Sequence, residues 1–284
     1  MGSKSSDVRV ACVQMRSGLE IERNLHDALA LIAEAAGDGA NLVATPEMTT
    51  LVDKDKHRAR ARLKATPFED VQSTFAAAAK SHGIWLHIGS VPYLLDGADD
   101  RIANRGLLFS PDGDLVAHYD KIHMFDVDLA SGESWRESNV YKPGERAVVA
   151  DAGPISLGLT ICYDVRFPGL YRRLAQSGAT MFVVPAAFTQ PTGKAHWETL
   201  LRARAIETGS FVMAPAQGGV HEDGRATYGH SMIIGPWGDV AGQLNHDEPG
   251  VLMADLDLTA AAKARQQIPS LKLESAYEII TVGR

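Results

Sequence analysis

Gly158-Leu159-Thr160-Ile161-Cys162-Tyr163-Asp164-Val165-Arg166-Phe167-Pro168 carries an apolar strand into a thiol and then into a proline suited to open a helix. A buried strand that stops just before a helix leaves its last residue at the lip of a sheet. There α/β enzymes place their chemistry, and the following backbone N–H can face a reacting oxygen. The stretch therefore predicts a strand–turn–helix unit with Cys162 at the strand end and the Tyr163 N–H beside it. Taken alone, a cysteine in such a place is more often an inert core residue, because free cysteine is among the most buried residue types. Partners elsewhere in the chain have to decide.

Outward from this unit the chain alternates. Residues 168–176 read as a helix with Gly178 past its end, and 179–184 as a buried strand stopped by Pro185. Residues 196–208 read as a helix with Trp197, Leu200, Leu201 and Ile206 inward, followed by strands at 211–216, 229–234 and 251–256. On the N-terminal side, residues 8–15 are β-rich. Leu25, Leu29, Ile32, Ala33 and Ala36 then recur at helical spacing. A short strand over 41–45 runs into Pro46-Glu47, a helix spans 68–80 and closes at Gly83, and 84–91 is again strand. Residues 105–109 and 115–119 form a hairpin across Pro111-Asp112-Gly113. Helices distributed between strands along the whole length predict an α/β fold in which sheets are covered by helical layers.

Bulk composition narrows the function classes. The 284 residues are 45% hydrophobic and 22% charged, an ordinary composition for a chain that buries a large core. No linker-like stretch marks a boundary, so one domain is expected over 7–284, with 1–6 left outside it as disordered or cloning-derived residues. A net charge of −7 argues against nucleic acid or an anionic membrane as partner and favours a small-molecule substrate. Two cysteines without a CxxC pair, no apolar signal segment and no run of about eighteen apolar residues point to the cytoplasm.

Two further strands end in a residue of catalytic type. Glu47 follows Ala44-Thr45-Pro46, and Lys121 follows Tyr119-Asp120. Each alone has an ordinary reading, Glu47 as a helix cap and Lys121 as a solvated cation. Together with Cys162 they suit acyl transfer. A thiol attacks as thiolate, and the ordinary gap between a cysteine and a glutamate is about 4 pK units, or roughly 6 kcal/mol. Burial raises a carboxylate and a nearby ammonium lowers a thiol, so a water-poor pocket holding all three would close the gap. Glu47 would then act as base, Cys162 as nucleophile, and Lys121 with the Tyr163 N–H as oxyanion stabilisers. This chemistry calls for no cofactor and no metal.

At these residues the sequence resembles the carbon–nitrogen hydrolase family, the nitrilase superfamily, whose Glu-Lys-Cys triad sits in motifs like those around Glu47, Lys121 and Cys162. The likeness extends over nearly the whole chain and includes Asp120-Lys121-Ile122-His123 and Arg202-Ala203-Arg204-Ala205-Ile206-Glu207. It implies a nitrilase-like four-layer α-β-β-α sandwich, a homodimer joined through helical layers, and a second glutamate positioning the lysine. In Trp135-Arg136-Glu137-Ser138-Asn139 that residue is Glu137, with Glu133 as a nearby competitor. Among the branches, the stretches Lys121 to Asp128, Gly193 to Glu198 and Tyr228 to Met232 are most similar to amidases of deaminated glutathione and of keto-acid ω-amides. Such substrates carry carboxylates. Arg166 is the candidate to bind one, and a structural pairing with Asp164 or another acid is its alternative.

The rivals are a Cys-His hydrolase using His123, His196 or His230, a metal hydrolase, and a catalytically silent scaffold. No spacing ties a histidine to Cys162, no HxxxH or HExxH pair is present, and a scaffold has no reason to keep a buried charge cluster. Within the family, nitrilase and N-carbamoyl amino acid hydrolase activities remain alternatives to amide hydrolysis.

Overall fold

Alternation along the first strand sets the layering. In β1 (Asp7–Gln14) Val8, Val10 and Cys12 pack with Leu157, Leu159 and Phe182, whereas Ala11 and Val13 point the other way, into a cluster with Ala28, Ile32 and Phe75. Successive side chains of a strand face opposite sides, so one strand feeds two cores, one between two sheets and one beneath a helical layer. A computed structural model describes residues 7–95, 100–128, 134–273 and 275–283. The expectation for residues 1–6 and any part for Glu133 lie outside the described residues.

After β1 come α1 (Ile21–Gly37), β2 (Leu42–Ala44), α2 (Lys56–Ala65), α3 (Phe68–His82), β3 (Trp85–Leu94), β4 (Ile102–Phe109) and β5 (Leu115–Asp120). The chain continues through β6 (Asp126–Asp128), β7 (Ser134–Arg136), β8 (Val148–Ala152), β9 (Ile155–Leu159), α4 (Pro168–Gln176), β10 (Met181–Val183) and α5 (Gln190–Thr208). It closes with β11 (Phe211–Ala214), β12 (Gly218–Val220), β13 (Ala226–Tyr228), β14 (Met232–Ile234), β15 (Val240–Gln243), β16 (Gly250–Asp257) and α6 (Thr259–Gln267).

Two six-stranded mixed sheets result, one in the order β16-β1-β2-β3-β4-β5 and the other β15-β14-β11-β10-β9-β8. Each has three parallel strands at its centre, β1, β2 and β3 in one and β9, β10 and β11 in the other, with antiparallel neighbours outside. Helices α1 and α3 cover the first sheet, and α4 and α5 pack together over the second. This is the nitrilase-like α-β-β-α sandwich expected from the sequence. Crossover helices force parallel strands to end on the same edge, so the segments after β2, β9 and β10 emerge side by side.

Several expectations needed correction. The strand before Cys162 ends at Leu159, and Cys162 opens a single 3₁₀ turn, Cys162–Arg166, with φ of +51°. Helix α5 starts at Gln190, well before residue 196, because Pro191 needs no amide partner in a first turn. Ile206 points outward, 54% exposed. In α1, by contrast, the helical spacing holds: Ile21, Asn24, Ala28, Ile32 and Ala35 are buried, and Leu25, Leu29 and Ala36 pack partly buried against the same core. Helix α2 has no apolar stripe and gave no periodic signal; Asp55 caps it by accepting from the His57 and Arg58 N–H groups. Among the described residues no helix is long and apolar enough to cross a membrane.

Candidate active site

Three loops bring the sequence candidates together. Glu47 lies three residues beyond β2, Lys121 directly follows β5, and Cys162 lies three residues beyond β9. The Glu47 loop is stitched to β3: Ser90 Oγ accepts from the Met48 N–H, and Thr45 Oγ1 accepts from the Gly89 N–H. Gln217, in the segment between β11 and β12, holds the same loop by donating Nε2 to the carbonyls of Glu47 and Met48. Met48 has φ of +56°, so the Glu47 loop, like the Cys162 turn, includes a left-handed residue that the surrounding bonds must enforce. At the Cys162 turn, the Cys162 N–H donates to Pro185 O at 2.8 Å.

Lys121 is the centre of charge. Its Nζ lies 2.9 Å from Glu47 Oε1 and 2.9 Å from each oxygen of Glu137. Lys121 is 2% exposed, Glu47 4% and Cys162 8%, so bulk water does not screen them. Glu137, on the single turn after β7, also accepts from the Phe125 N–H at 2.6 Å. Glu47 accepts from Asn104 Nδ2 at 2.9 Å and from the Ala187 N–H at 3.0 Å. The Glu47 carboxylate, the Lys121 ammonium and the Ala187 N–H all act electrostatically on the Cys162 thiol.

The protonation states follow from this geometry. Burial alone would lower the Lys121 ammonium, but Glu137 and Glu47 outweigh it and hold the group well above the usual lysine range. Burial pushes the Glu137 carboxyl up against the pull of Lys121. Burial, and then Glu47, push the Cys162 thiol well above its ordinary value, with Lys121 pulling the other way. The expected lowering by the ammonium is present but outweighed, so at rest the thiol keeps its proton for Glu47 to remove. Passing that proton to Glu47 leaves the net charge of the cluster unchanged.

Asp164, buried behind the nucleophile, is the anchor of its turn. Oδ2 accepts from Tyr119 Oη at 2.7 Å and from the Ile161 N–H at 2.8 Å, while Oδ1 accepts from the His123 N–H at 3.1 Å and from its Nδ1 at 2.7 Å. Since Tyr119 and His123 flank Lys121 in sequence, one carboxylate ties the lysine segment to the cysteine turn. These bonds also exclude the suggested Arg166–Asp164 pair. Arg166 instead lies 3.2 Å from His196 Nδ1 and over the rings of Tyr163 and Phe188. The three histidines considered as bases are engaged elsewhere: His123 with Asp164, His196 with Arg166, and His230 with Tyr228 O at 2.6 Å.

The profile of the family described as "Carbon-nitrogen hydrolase" matches residues 9–266. The chain belongs to the carbon–nitrogen hydrolase family. A deaminated glutathione amidase of Yersinia enterocolitica is 41% identical over 94% of this chain and 92% of its own length. The NitFhit protein of C. elegans superposes with a TM-score of 0.89 at 33% identity over 96% of this chain, which spans 66% of that longer protein. A variant of the amidase from Nesterenkonia sp. AN1, whose active-site cysteine carries the acetamide moiety of fluoroacetamide, superposes with a TM-score of 0.77 at 27% identity, covering 96% of this chain and 99% of that one. This carbon–nitrogen hydrolase acts on non-peptide C–N bonds, an amidase of the nitrilase superfamily.

Of its two cysteines, Cys162 lies in the charged cluster, and Cys12 is a buried thiol near Met232 O. Sequence reasoning missed Asn104, Ala187 and Gln217. Asn104 left a trace, since an amide inside the apolar run Ile102-Ala103-Asn104-Arg105-Gly106-Leu107 is unfavourable in a strand unless something uses it. Ala187 contributes only its backbone N–H and left none.

Proposed function

We propose that this carbon–nitrogen hydrolase cleaves a small carboxylate-bearing amide to the acid and ammonia through a thioester on Cys162. The observation that carries the reading is the Glu47 carboxylate, shared between the Lys121 ammonium at 2.9 Å and the Cys162 thiol. Glu47 takes the thiol proton as sulfur attacks the amide carbon. Lys121 and the Tyr163 N–H receive the developing oxyanion, and Glu137 fixes Lys121 for that task. Glu47 then hands its proton to the leaving nitrogen, ammonia departs, and Glu47 activates a water that hydrolyses the thioester. Because the thiol starts protonated, Glu47 must be close enough to take its proton during attack, and burial keeps Lys121 strong as a counter-charge.

The relatives named as deaminated glutathione amidases support a substrate of that kind, and Arg166 at the rim is the group proposed to bind its carboxylate. Residues 7–284 are proposed to form one carbon–nitrogen hydrolase domain working in a reducing cytoplasm as a homodimer. The exposed Ile206, with Trp237 at 57% exposure, marks the helical side on which the second copy would sit. Ammonia release should be followed from deaminated glutathione, keto-acid ω-amides, aliphatic amides, carbamoyl amino acids and nitriles in parallel. Preference for the first two classes, lost in Cys162→Ala, is expected. Turnover confined to nitriles or carbamoyl compounds would replace the substrate assignment, and full activity of Cys162→Ala would end the mechanism.

A further inference from the structure

The hydrogen bonds to Glu47 are unevenly divided. A carboxylate offers about four lone-pair positions, two on each oxygen. Oε1 accepts from Lys121 Nζ and from Asn104 Nδ2, both at 2.9 Å. Oε2 accepts from the Ala187 N–H at 3.0 Å. The position left over is on Oε2, and the Ala187 N–H that marks this side also acts on the Cys162 thiol.

Asn104 is wholly buried, and its backbone oxygen accepts from the Lys121 N–H at 3.0 Å. Its side-chain Oδ1 is buried and has no hydrogen-bond partner among the described residues. The reverse orientation of the amide would set two acceptors face to face at Glu47. An orphaned buried oxygen destabilises a fold, and an apolar side chain of similar size would avoid it. Packing alone therefore does not explain an amide here, whereas its donor side does.

We propose that Asn104 is a positioning residue of the reaction: with Lys121 it closes one oxygen of Glu47 and leaves the other as the single port for the proton. The S–H bond breaks and an O–H bond forms on Oε2 as sulfur bonds to carbon. When the C–N bond breaks, that proton leaves Oε2 for nitrogen. The inference rests on Glu47 acting as the base.

The test compares the pH profile of kcat/KM for a small amide, and the rate of Cys162 alkylation by acrylamide, in wild type, Asn104→Ala, Asn104→Asp and Glu47→Gln, with thermal unfolding as the folding control. Asn104→Ala is expected to lower kcat/KM about 10-fold to 100-fold with KM changed less than about twofold. Its acid limb is expected to move to higher pH, because a donor that favours the carboxylate form has gone. Relative to wild type, Asn104→Asp should be most active at the acid end, where the introduced carboxyl still donates, and should fail as it ionises. An unmoved acid limb in Asn104→Ala, or wild-type activity of Asn104→Asp across the range, would reduce Asn104 to a space-filler. If Asn104→Ala does not fold, the Asn104→Asp profile decides. Full turnover by Glu47→Gln would instead remove the base assignment itself, a failure distinct from that of Asn104.

Discussion

Both carboxylate oxygens of Glu137 lie 2.9 Å from Lys121 Nζ, so a buried ammonium that already touches Glu47 is clamped from a second side. Two acidic side chains thus share one buried ammonium. Glu137→Gln keeps an acceptor but removes one of the two acids, and Lys121 then loses its largest counter-charge. The expected outcome is a fall in kcat of about 100-fold to 1,000-fold with KM little changed, the pattern of an interaction made in the transition state. Steady-state kinetics checks it; an unchanged kcat would take Glu137 out of the reaction.

Asp164 joins the lysine and cysteine segments through four hydrogen bonds. Tyr119→Phe removes one of them without opening a cavity and is expected to lower stability by about 1.5–3 kcal/mol, the range for a bond to a charged group. Asp164→Ala leaves several buried donors unpaired and should lower it further, by about 3–5 kcal/mol, with loss of turnover. Denaturant unfolding measures both.

Among the described residues Arg166 meets no carboxylate, only His196 and two aromatic faces. Arg166→Ala is expected to raise KM about 10-fold to 100-fold for carboxylate-bearing amides and to leave neutral aliphatic amides within about threefold. Equal effects on both substrate classes would remove it from the recognition role.

Gly89 shows how closely the two sheets approach beneath the site. A Cβ there would lie 2.1 Å from Thr45 O, 2.5 Å from Pro46 O and 2.4 Å from Pro185 Cβ. The first two belong to the Glu47 loop, and Pro185 is the residue whose carbonyl receives the Cys162 N–H. Gly89→Ala is therefore expected to cost about 3 kcal/mol or more of stability and to slow turnover by moving Glu47 and Cys162 apart. Thermal unfolding together with the rate of Cys162 alkylation checks this, and a stable, fully active Gly89→Ala protein would contradict the packing.

His87, buried with Nδ1 unpartnered, is pushed by burial from the ordinary 6.5 down to about 3. Between those values the unfolded chain binds a proton that the folded protein does not. Stability therefore rises with pH through this window and is lost as pH falls from 6.5 toward 3, at up to about 1.4 kcal/mol per unit. His87→Gln cannot take up that proton and should show a shallower loss over the same range. Parallel slopes of melting temperature against pH for the two proteins would refute the assignment.

Local sequence carried most of the elements and the types of residue that could do the chemistry. Strand and helix periods, the turn at Pro111-Asp112-Gly113 and the glycine after residue 82 are local facts, written within a few residues of each other, and the structure repeats them. Glu47, Lys121 and Cys162 were legible because each follows an apolar run that has to end at a sheet edge. Helix α2 was not legible, since its stability comes from a cap and its charges rather than from a stripe. The face of α5 was misread at Ile206 because periodicity gives a face without saying what covers it.

Which groups meet was set by long-range packing. Asn104 reaches Glu47 across 57 positions and the Ala187 N–H reaches it across 140, and a backbone N–H has no signature in a residue string. It also decided the protonation state of the thiol. That balance depends on how much water burial removes and on distances to Glu47 and Lys121, and both exist only once the two sheets have packed face to face.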